Sequence, residues 1–309
     1  MRQPKVMSER ILVTGISGFI GSSLGAYFAA KGSLVVGLSR RDTLSSFRSE
    51  NIRTDYETVE IAQTVKRFRP DIIIHAAGSS SIKESLENPS EDFSKSVALT
   101  QRLLEGVRIS GVRPRIVFPS SAAVYGDPAQ IPVAENAPLR PISPYGYHKS
   151  VCEMLVKEYA LVYGIPSLVM RLFSVFGPRQ KRLLMWELFD QFGSRQEVVI
   201  EGTGNEARDY IHVADLACLV GQLLSRIEEA FLVVNVATGR ATTVREAAYL
   251  MKNLLNSEKP IVFQGKARPG DPLKWQADVS LYETLTKSAV NTDFSSRLQE
   301  CLLKWSESK

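Results

Sequence analysis

Short apolar runs alternate with longer amphipathic segments along most of this chain. Six of the runs are rich in Val, Ile and Leu, and most are bounded by Gly, Pro or charged residues, as expected for strands that are buried on both faces. Helical spacing of apolar residues follows at 18–30, 93–111 and 145–163. The six predicted strands are ILVTG (11–15), SLVVGLS (33–39), DIIIHAA (71–77), RIVFPSS (115–121), SLVMRLF (167–173) and FLVVNVA (231–237).

This alternation of strands and helices predicts an α/β fold with a doubly wound parallel sheet. The pattern becomes less regular after Arg171, where turn signals such as GTGN and ARPGDP separate short helices. We therefore expect a main domain over 1–172, to which a segment near 208–238 returns. A smaller lobe would be made from 173–207 and 239–309.

The composition is that of an ordinary globular enzyme, with 44% hydrophobic and 23% charged residues among 309. The longest apolar run is well short of the ~20 residues needed to span a bilayer, so no membrane is expected. The polar N-terminus does not resemble a secretory signal. Three scattered cysteines and three scattered histidines argue against disulfides and metal sites, and we expect a cytoplasmic protein without a metal.

The net charge of +5 favours anionic partners. Charge alone fits nucleic acid and a phosphorylated small molecule equally well. The stretch GPRQKR (177–182) could form a basic face for nucleic acid, but no recognition helix or stacking motif accompanies it. We therefore expect no nucleic-acid partner.

The first strand leads into a glycine turn, ILVTGISGFIG, with glycines at 15, 18 and 21 before an apolar helix. Glycines let the backbone turn tightly and approach a pyrophosphate at the positive end of a helix. The strand, turn and helix in this order predict a dinucleotide site in a Rossmann-type domain.

The end of the second strand carries Ser39, Arg40 and Arg41. A carboxylate here would accept the adenosine ribose hydroxyls and favour NAD, whereas arginine accommodates a 2′-phosphate. A hydroxyl and two guanidinium groups therefore favour NADP, with NAD as the alternative. The arginines could also be a solvated pair in a loop.

The stretch SPYGYHKS places Tyr145 four residues before Lys149, so a helix would hold both side chains on one face. Such a pair is either an ordinary surface pair or a phenol whose proton is made labile by a neighbouring cation. The pair alone does not distinguish the two.

Together these residues resemble the extended branch of the short-chain dehydrogenase/reductase superfamily, which includes nucleotide-sugar epimerases, dehydratases and 4-keto reductases. TGISGFIG, DIIIHAAG, SSAAVYG, YGYHK, RLFSVFGPRQ and GTGNEARDYIHVADLA appear in the family's order. The resemblance implies a Rossmann-type doubly wound parallel sheet with a smaller α/β substrate-binding lobe, and cofactor contacts from Gly15, Ser17, Gly18, Phe19, Ile20, Gly21, Ser39, Arg40, Arg41, Asp55, Tyr56, Ala76, Ala77, Gly78, Tyr145 and Lys149.

The resemblance also implies the catalytic roles. Tyr145 would exchange a proton with a sugar hydroxyl, and Lys149 would hold the nicotinamide ribose and stabilise the phenolate. Ser121 would hydrogen-bond the reacting oxygen, with Ser120 as its rival. The nucleotide-diphosphate sugar would be held by Ser121, Ser174, Arg179, Arg208 and Arg268.

Ala122 and Ala123 reduce the number of reaction types that the resemblance allows, because family dehydratases and decarboxylases need a carboxylate near these positions. A methyl group cannot move a proton, so dehydration and decarboxylation are disfavoured. We predict an NAD(P)-dependent nucleotide-sugar 4-epimerase that acts through a 4-keto intermediate. The alternatives are an NADPH-dependent 4-keto-sugar reductase and a non-catalytic NADP-binding regulator.

The chain departs from the family's pattern at two positions. Ser174 and Ser96 stand where the family often has Asn, which has a longer reach and more hydrogen-bonding groups. The resemblance also implies a homodimer built from the helices around 93–108 and 145–163.

Overall fold

The computed structural model describes residues 9–40, 50–224, 230–266 and 272–307. The strands within these ranges are β1 (Arg10–Thr14), β2 (Leu34–Ser39), β3 (Glu50–Arg53), β4 (Ile72–His75), β5 (Arg115–Ser121), β6 (Ser167–Leu172), β7 (Ser174–Phe176), β8 (Val198–Ile200), β9 (Ala207–His212), β10 (Phe231–Val236), β11 (Ala241–Thr243) and β12 (Ile261–Phe263). The α-helices are α1 (Phe19–Ala30), α2 (Thr58–Phe68), α3 (Ile82–Glu87), α4 (Pro89–Phe93), α5 (Leu99–Ser110), α6 (Pro144–Tyr163), α7 (Leu183–Ser194), α8 (Val213–Leu224), α9 (Val244–Leu254), α10 (Ser280–Thr286) and α11 (Phe294–Glu307).

Seven of the described strands form one parallel sheet in the order β10-β6-β5-β4-β1-β2-β3. The chain therefore starts in the middle, at β1, and winds outward in both directions. The predicted fold class, a Rossmann-type doubly wound sheet, is confirmed. In such a sheet the switch point, here between β1 and β4, opens a crevice at the carboxyl ends of the strands.

Both faces of this sheet are covered by helices. Ile11 and Val13 of β1 pack in a core with α1, α8 and α10, whereas Leu12 packs in a second core with α2, α5 and α6. Burial on both faces explains why the strands have continuous apolar sequences.

The smaller lobe is built from short strands and three helices. Strands β7, β9 and β11 form one sheet, and β8 pairs with β12. A separate core joins these strands to α7, α9 and α11. Within the predicted return segment near 208–238, β9 therefore pairs with β7 and β11, whereas α8 packs against the main sheet and β10 joins it.

The predicted helix over 93–111 is interrupted. A π-helical turn over Ser94–Ala98 separates α4 from α5. Such turns are rare and often lie at functional sites. Within the described ranges, every helix is too short or too polar to cross a bilayer.

Candidate active site

The glycine turn between β1 and α1 approaches the end of β4 closely. Gly15 has φ +69°, and a Cβ atom at this position would lie 2.6 Å from the backbone nitrogen of Ala77. A Cβ at Gly21 would lie 2.3 Å from the carbonyl oxygen of Gly15. These two glycines are therefore required by the conformation of the turn and by its contact with β4.

The N-terminus of α1 is free to receive an anion. Gly18 is its N-cap, no side chain caps the helix, and the first turn has no acidic residue. Ser17 and Gly18 are exposed, and Phe19 and Ile20 are half-buried. The unpaired backbone N–H groups of such a terminus suit a pyrophosphate, so the turn fits a dinucleotide cofactor.

The end of β2 lies beside this turn. Ser39 is buried, and its hydroxyl donates to the hydroxyl of Ser17 over 3.4 Å. Arg40 follows and is exposed. Arg41 lies outside the described residues. The last residue of β2 therefore carries a hydroxyl group, whereas a carboxylate at this position would favour NAD.

Tyr56 lies beneath the glycine turn, in a left-handed conformation with φ 63°. Its buried phenol donates to the carbonyl of Leu38 over 2.8 Å and accepts from the Gly15 N–H over 3.1 Å. Burial raises the pKa of Tyr56, while the bond from Gly15 and the charge of Arg40 act in the opposite direction. The side chain of Tyr56 therefore supports the turn, and the exposed Asp55 remains the candidate for the adenine side.

Small residues end β4 beside the turn. The hydroxyl of Thr14 accepts a hydrogen bond from Ala77 N–H over 3.1 Å. Ala76 and Ala77 are half-buried and Gly78 is exposed, so this backbone is open to a cofactor. Ser96, in the π-helical turn, accepts from Ser79 N–H over 3.3 Å and so braces the following loop, although serine is shorter than asparagine.

His75 is a buried histidine with a hydrogen-bond partner for each ring nitrogen. Its Nδ1 lies 2.8 Å from the hydroxyl of Thr14, and its Nε2 lies 3.1 Å from the hydroxyl of Thr100. Because Thr100 donates to the carbonyl of Ser96, it accepts from the Nε2–H of His75. Burial and the nearby charge of Lys149 lower the pKa of His75 to about 3.

Tyr145 and Lys149 lie on the first two turns of α6. The side chain of Ser143 caps this helix at Gly146, and Pro144 occupies its first position. Lys149 is buried, donates from Nζ to the carbonyl of Pro119 over 3.1 Å, and lies 5.8 Å from the centre of the Tyr145 ring. The ammonium group is therefore held next to the phenol that it is expected to influence.

The end of β5 meets the first turn of α6. A Cβ at Gly146 would lie 2.5 Å from the carbonyl of Ala123, which places the turn after Ser121 directly against the helix. Ser121 is half-buried and accepts from Ala123 N–H over 3.2 Å. Ser120 is buried instead, and its hydroxyl donates to Glu153 over 2.5 Å. Ser121 is therefore the serine that is available to a substrate.

Of the other candidate substrate residues, Ser174 and Arg208 lie on β7 and β9 of the three-stranded sheet. The guanidinium of Arg208 lies 5.4 Å from the ring centre of Trp275. Trp275 belongs to a core cluster with the 122–125 turn, against which Tyr145 packs. Ser174 is half-buried on β7, and Arg179 is exposed in the loop that follows. Arg268 lies outside the described residues.

The two other histidines have structural contacts. Nδ1 of His148 lies 2.5 Å from a carboxylate oxygen of the buried Asp92. Nδ1 of His212 accepts from Ala214 N–H over 3.3 Å. Neither contact involves the crevice residues Tyr145 and Lys149.

Three buried polar residues beside the site escaped the sequence analysis. Ser85 of α3 accepts from Tyr145 N–H over 3.1 Å, and Glu153 of α6 pairs with Arg171 of β6 at 2.8 Å. Glu153 follows Lys149 by one helical turn, and Arg171 is a lone charge in an apolar strand. Each of these two sequence features indicates that the charged side chain has a buried partner, so the pair could have been predicted.

Comparisons with known proteins identify the family of this chain. The family model described as the NAD dependent epimerase/dehydratase family matches residues 11–237. Over 284 residues, the chain is 31% identical to a putative UDP-glucose 4-epimerase of Methanocaldococcus jannaschii, covering 89% of this chain and 92% of the relative. Over 299 residues, it is 32% identical to a UDP-glucose 4-epimerase of Azospirillum brasilense, covering 88% of this chain and 84% of the relative.

A solved structure is similar over nearly the whole chain. MoeE5 in complex with UDP-glucose and NAD superposes with a TM-score of 0.89 at 28% identity, covering 97% of this chain and 99% of the other. The family model covers well over half of the chain, and the order of the motifs predicted the same family. The chain belongs to the NAD-dependent epimerase/dehydratase family.

Proposed function

We propose that the protein is an NAD(P)-dependent nucleotide-sugar 4-epimerase. The observation that carries this proposal is that the turn after Ser121 packs against the helix that holds Tyr145 and Lys149. In this turn Ala122 and Ala123 are buried and have only methyl side chains. The Tyr145, Lys149 and Ser121 side chains supply the proton transfer and hydrogen bonding that oxidation and reduction of a carbinol carbon require, and a bound nicotinamide would supply the hydride chemistry. The carboxylate that dehydration or decarboxylation would need is absent from these two positions.

The protein residues act on the oxygen of the sugar C4 hydroxyl. Tyr145, as the phenolate stabilised by Lys149, accepts the hydroxyl proton while Ser121 hydrogen-bonds the same oxygen. A nicotinamide cofactor held by the glycine turn and by Lys149 would supply the hydride-transfer chemistry at C4. Tyr145 gives the proton back after the keto sugar has turned its other face, so the configuration at C4 is inverted without net oxidation.

We infer that the substrate is a UDP-hexose. The proposal is supported by the two UDP-glucose 4-epimerases of similar sequence and by the UDP-glucose complex of MoeE5. Arg208 is suited to the diphosphate, because a guanidinium group donates two parallel hydrogen bonds to phosphate oxygens. Ser174 and Arg179 lie on the same lobe and are the further candidates for this contact.

A panel of nucleotide sugars and 4-keto sugars tests the proposed reaction. Each would be incubated with the purified protein, with and without added NADPH. We expect a UDP-hexose to be converted into its C4 epimer with no net consumption of cofactor. Stoichiometric loss of NADPH would instead identify a 4-keto reductase, and cofactor binding without any turnover would identify a non-catalytic NADP-binding regulator.

We further propose that the cofactor is NADP. Ser39 at the end of β2 and the exposed Arg40 support this proposal, because a guanidinium group next to the adenosine ribose stabilises a 2′-phosphate. MoeE5 was solved with NAD, which makes NAD the competing outcome. We expect Arg40→Ala to weaken NADP binding by about 10-fold or more and NAD binding much less.

Arg67→Ala is the matched control for this experiment, since Arg67 is an exposed arginine on α2 that pairs with Glu50. Titration of each variant with NADP and with NAD separates the two cofactors. Equal weakening of both by Arg40→Ala would remove the support for a 2′-phosphate contact.

We also propose that two copies of the chain form a dimer through α6. Tyr147, Met154 and Leu161 are exposed on this helix at intervals of seven residues, so they form one apolar stripe, and Val162 is exposed next to it. Phe93 extends the apolar surface beyond the helix. A self-complementary stripe of this kind suits a two-fold helix pair.

Met154→Glu places a charge in the middle of the stripe and should shift the protein from dimer to monomer in sedimentation analysis. Val59→Glu, which introduces the same charge at an exposed apolar residue of α2, serves as the control. A monomeric unmodified protein at micromolar concentration would contradict the proposed dimer.

A further inference from the structure

A buried network of polar side chains lies directly behind the candidate catalytic residues. Its centre is Glu153 of α6, whose side chain is 6% exposed. One carboxylate oxygen accepts from the Ser120 hydroxyl over 2.5 Å, and the other accepts from Nη2 of Arg171 over 2.8 Å. Nε of Arg171 lies 3.1 Å from the first oxygen, so the ion pair is bidentate.

The network continues from Nη1 of Arg171, the guanidinium nitrogen that does not contact Glu153. Nη1 of Arg171 donates to the phenol of Tyr125 over 2.9 Å and to the carbonyl of Glu135 over 2.8 Å. Tyr125 in turn donates to the side-chain oxygen of Asn235 over 2.7 Å. Burial raises the pKa of Tyr125 to about 12, although Arg171 acts in the opposite direction, so the phenol stays protonated and can donate.

These contacts join the elements that carry the catalytic groups. Ser120 precedes Ser121, and Tyr125 ends the short turn that follows Ser121. Glu153 lies one helical turn after Lys149, on the helix that also carries Tyr145. The bond between Ser120 and Glu153 is therefore a direct link between the strand end that holds Ser121 and the helix that holds the Tyr145–Lys149 pair.

We infer that Glu153, acting through Ser120, is a positioning residue that sets the distance between Ser121 and Tyr145. A buried ion pair contributes little net stability compared with an apolar replacement, so stability alone does not explain it. Its bidentate geometry fixes one rotamer of Glu153 and hence one position of the Ser120 hydroxyl. The inference rests on the proposed function, because it requires Ser121 and Tyr145 to act on the same oxygen.

Ser120→Ala tests the inference with a small perturbation, since it removes one hydroxyl and leaves the Glu153–Arg171 pair in place. We expect kcat to fall by about 10-fold or more, while the Kd for the cofactor and for UDP stay unchanged. In single-turnover experiments, reduced nicotinamide should form more slowly by the same factor, as measured by its near-ultraviolet absorbance.

Ser167→Ala is the matched control. Ser167 is also fully buried, lies on β6, and donates one hydrogen bond, to the carbonyl of Ile165 over 2.9 Å. Each substitution removes one buried hydrogen bond, and Ser120→Ala should lower the free energy of unfolding more, because its acceptor is a carboxylate. Ser167→Ala should leave kcat unchanged.

The possible failures are distinguishable. If the unmodified protein turns over the sugar and Ser120→Ala retains the kcat of Ser167→Ala, the positioning inference is wrong while the proposed function stands. If Ser120→Ala changes only KM or cofactor affinity, the network acts on binding and the inference is likewise wrong. If the unmodified protein binds cofactor but converts no sugar, the proposed function fails, and the inference fails with it.

Discussion

Substitution of Gly15 by alanine should destabilise the folded protein for two reasons. The first is conformational, because Gly15 has φ +69° and a residue with a Cβ atom is strained there. The second is steric, because the new Cβ would lie 2.6 Å from Ala77 N and 2.8 Å from the carbonyl carbon of Ala76. The turn and the end of β4 would have to move apart.

The free-energy cost of each effect can be estimated. Left-handed backbone costs a non-glycine residue about 1–2 kcal/mol. Ordinary contact of a Cβ atom begins at 3.4 Å, so the overlap at Ala77 is 3.4 − 2.6 = 0.8 Å. Forcing an extra methyl group into a packed site costs about 1–3 kcal/mol more. We therefore expect Gly15→Ala to lower the free energy of unfolding by about 2–5 kcal/mol.

Gly111→Ala isolates the conformational cost. Gly111 ends α5 with φ +74°, nearly the same conformation, but a Cβ there would have no neighbour within 4 Å. This variant should lose only about 1–2 kcal/mol and bind cofactor normally. Urea unfolding gives both free energies, and titration with reduced cofactor gives both affinities. Gly15→Ala should lower the affinity by about 10-fold or more, because the displaced turn no longer presents its N–H groups to the pyrophosphate.

Equal losses of unfolding free energy in the two variants, with cofactor affinity intact in both, would refute this account. The close approach of the turn to β4 would then have no energetic consequence. A loss of affinity without a further loss of stability would show that β4 yields easily and that only the shape of the turn matters.

The remaining predictions concern single side chains. Tyr145→Phe should abolish turnover while the Kd for the cofactor changes by less than about 3-fold, since the ring is kept and only the proton-transferring hydroxyl is lost; substantial residual turnover would exclude Tyr145 as the acid and base. His75 binds a proton near pH ~6.5 when unfolded but only at about 3 when folded, so the unmodified protein should lose about 2 kcal/mol of stability as the pH falls from 7 to 5. His75→Gln should remove that part of the pH dependence in urea unfolding, and an unchanged slope would contradict the buried neutral histidine.

Six of the seven strands of the main sheet were predictable because they are largely buried on both faces, whereas the edge strand β3 is exposed or half-buried. Each of the six apolar runs coincides with a strand, with shifts of one or two residues at the ends. The strands of the smaller lobe were not predictable in the same way. Strands β7, β8, β11 and β12 have three residues each, which is too short for a period of two to be recognised.

The π-helical turn over 94–98 shows a different limit. Its sequence, SKSVA, continues the helical pattern on both sides, so periodicity predicts one unbroken helix. The turn is instead associated with tertiary contacts, because Thr100 donates to the carbonyl of Ser96 and accepts from His75. A contact between residues that are 25 positions apart is not visible in a local pattern.

Within the candidate site, the choice between Ser120 and Ser121 could have been made from strand geometry. Side chains on a strand alternate between its two faces. Ile116 and Phe118 pack in the core that α6 covers, so Ser120 falls on that face and Ser121 on the other. A hydroxyl directed at a covering helix needs a buried acceptor, and Glu153, one turn after Lys149, is a carboxylate on that helix. The alternation that predicts the strand therefore also assigns different roles to its last two serines: one is held in the interior by α6, and the other is left at the crevice where Tyr145 lies.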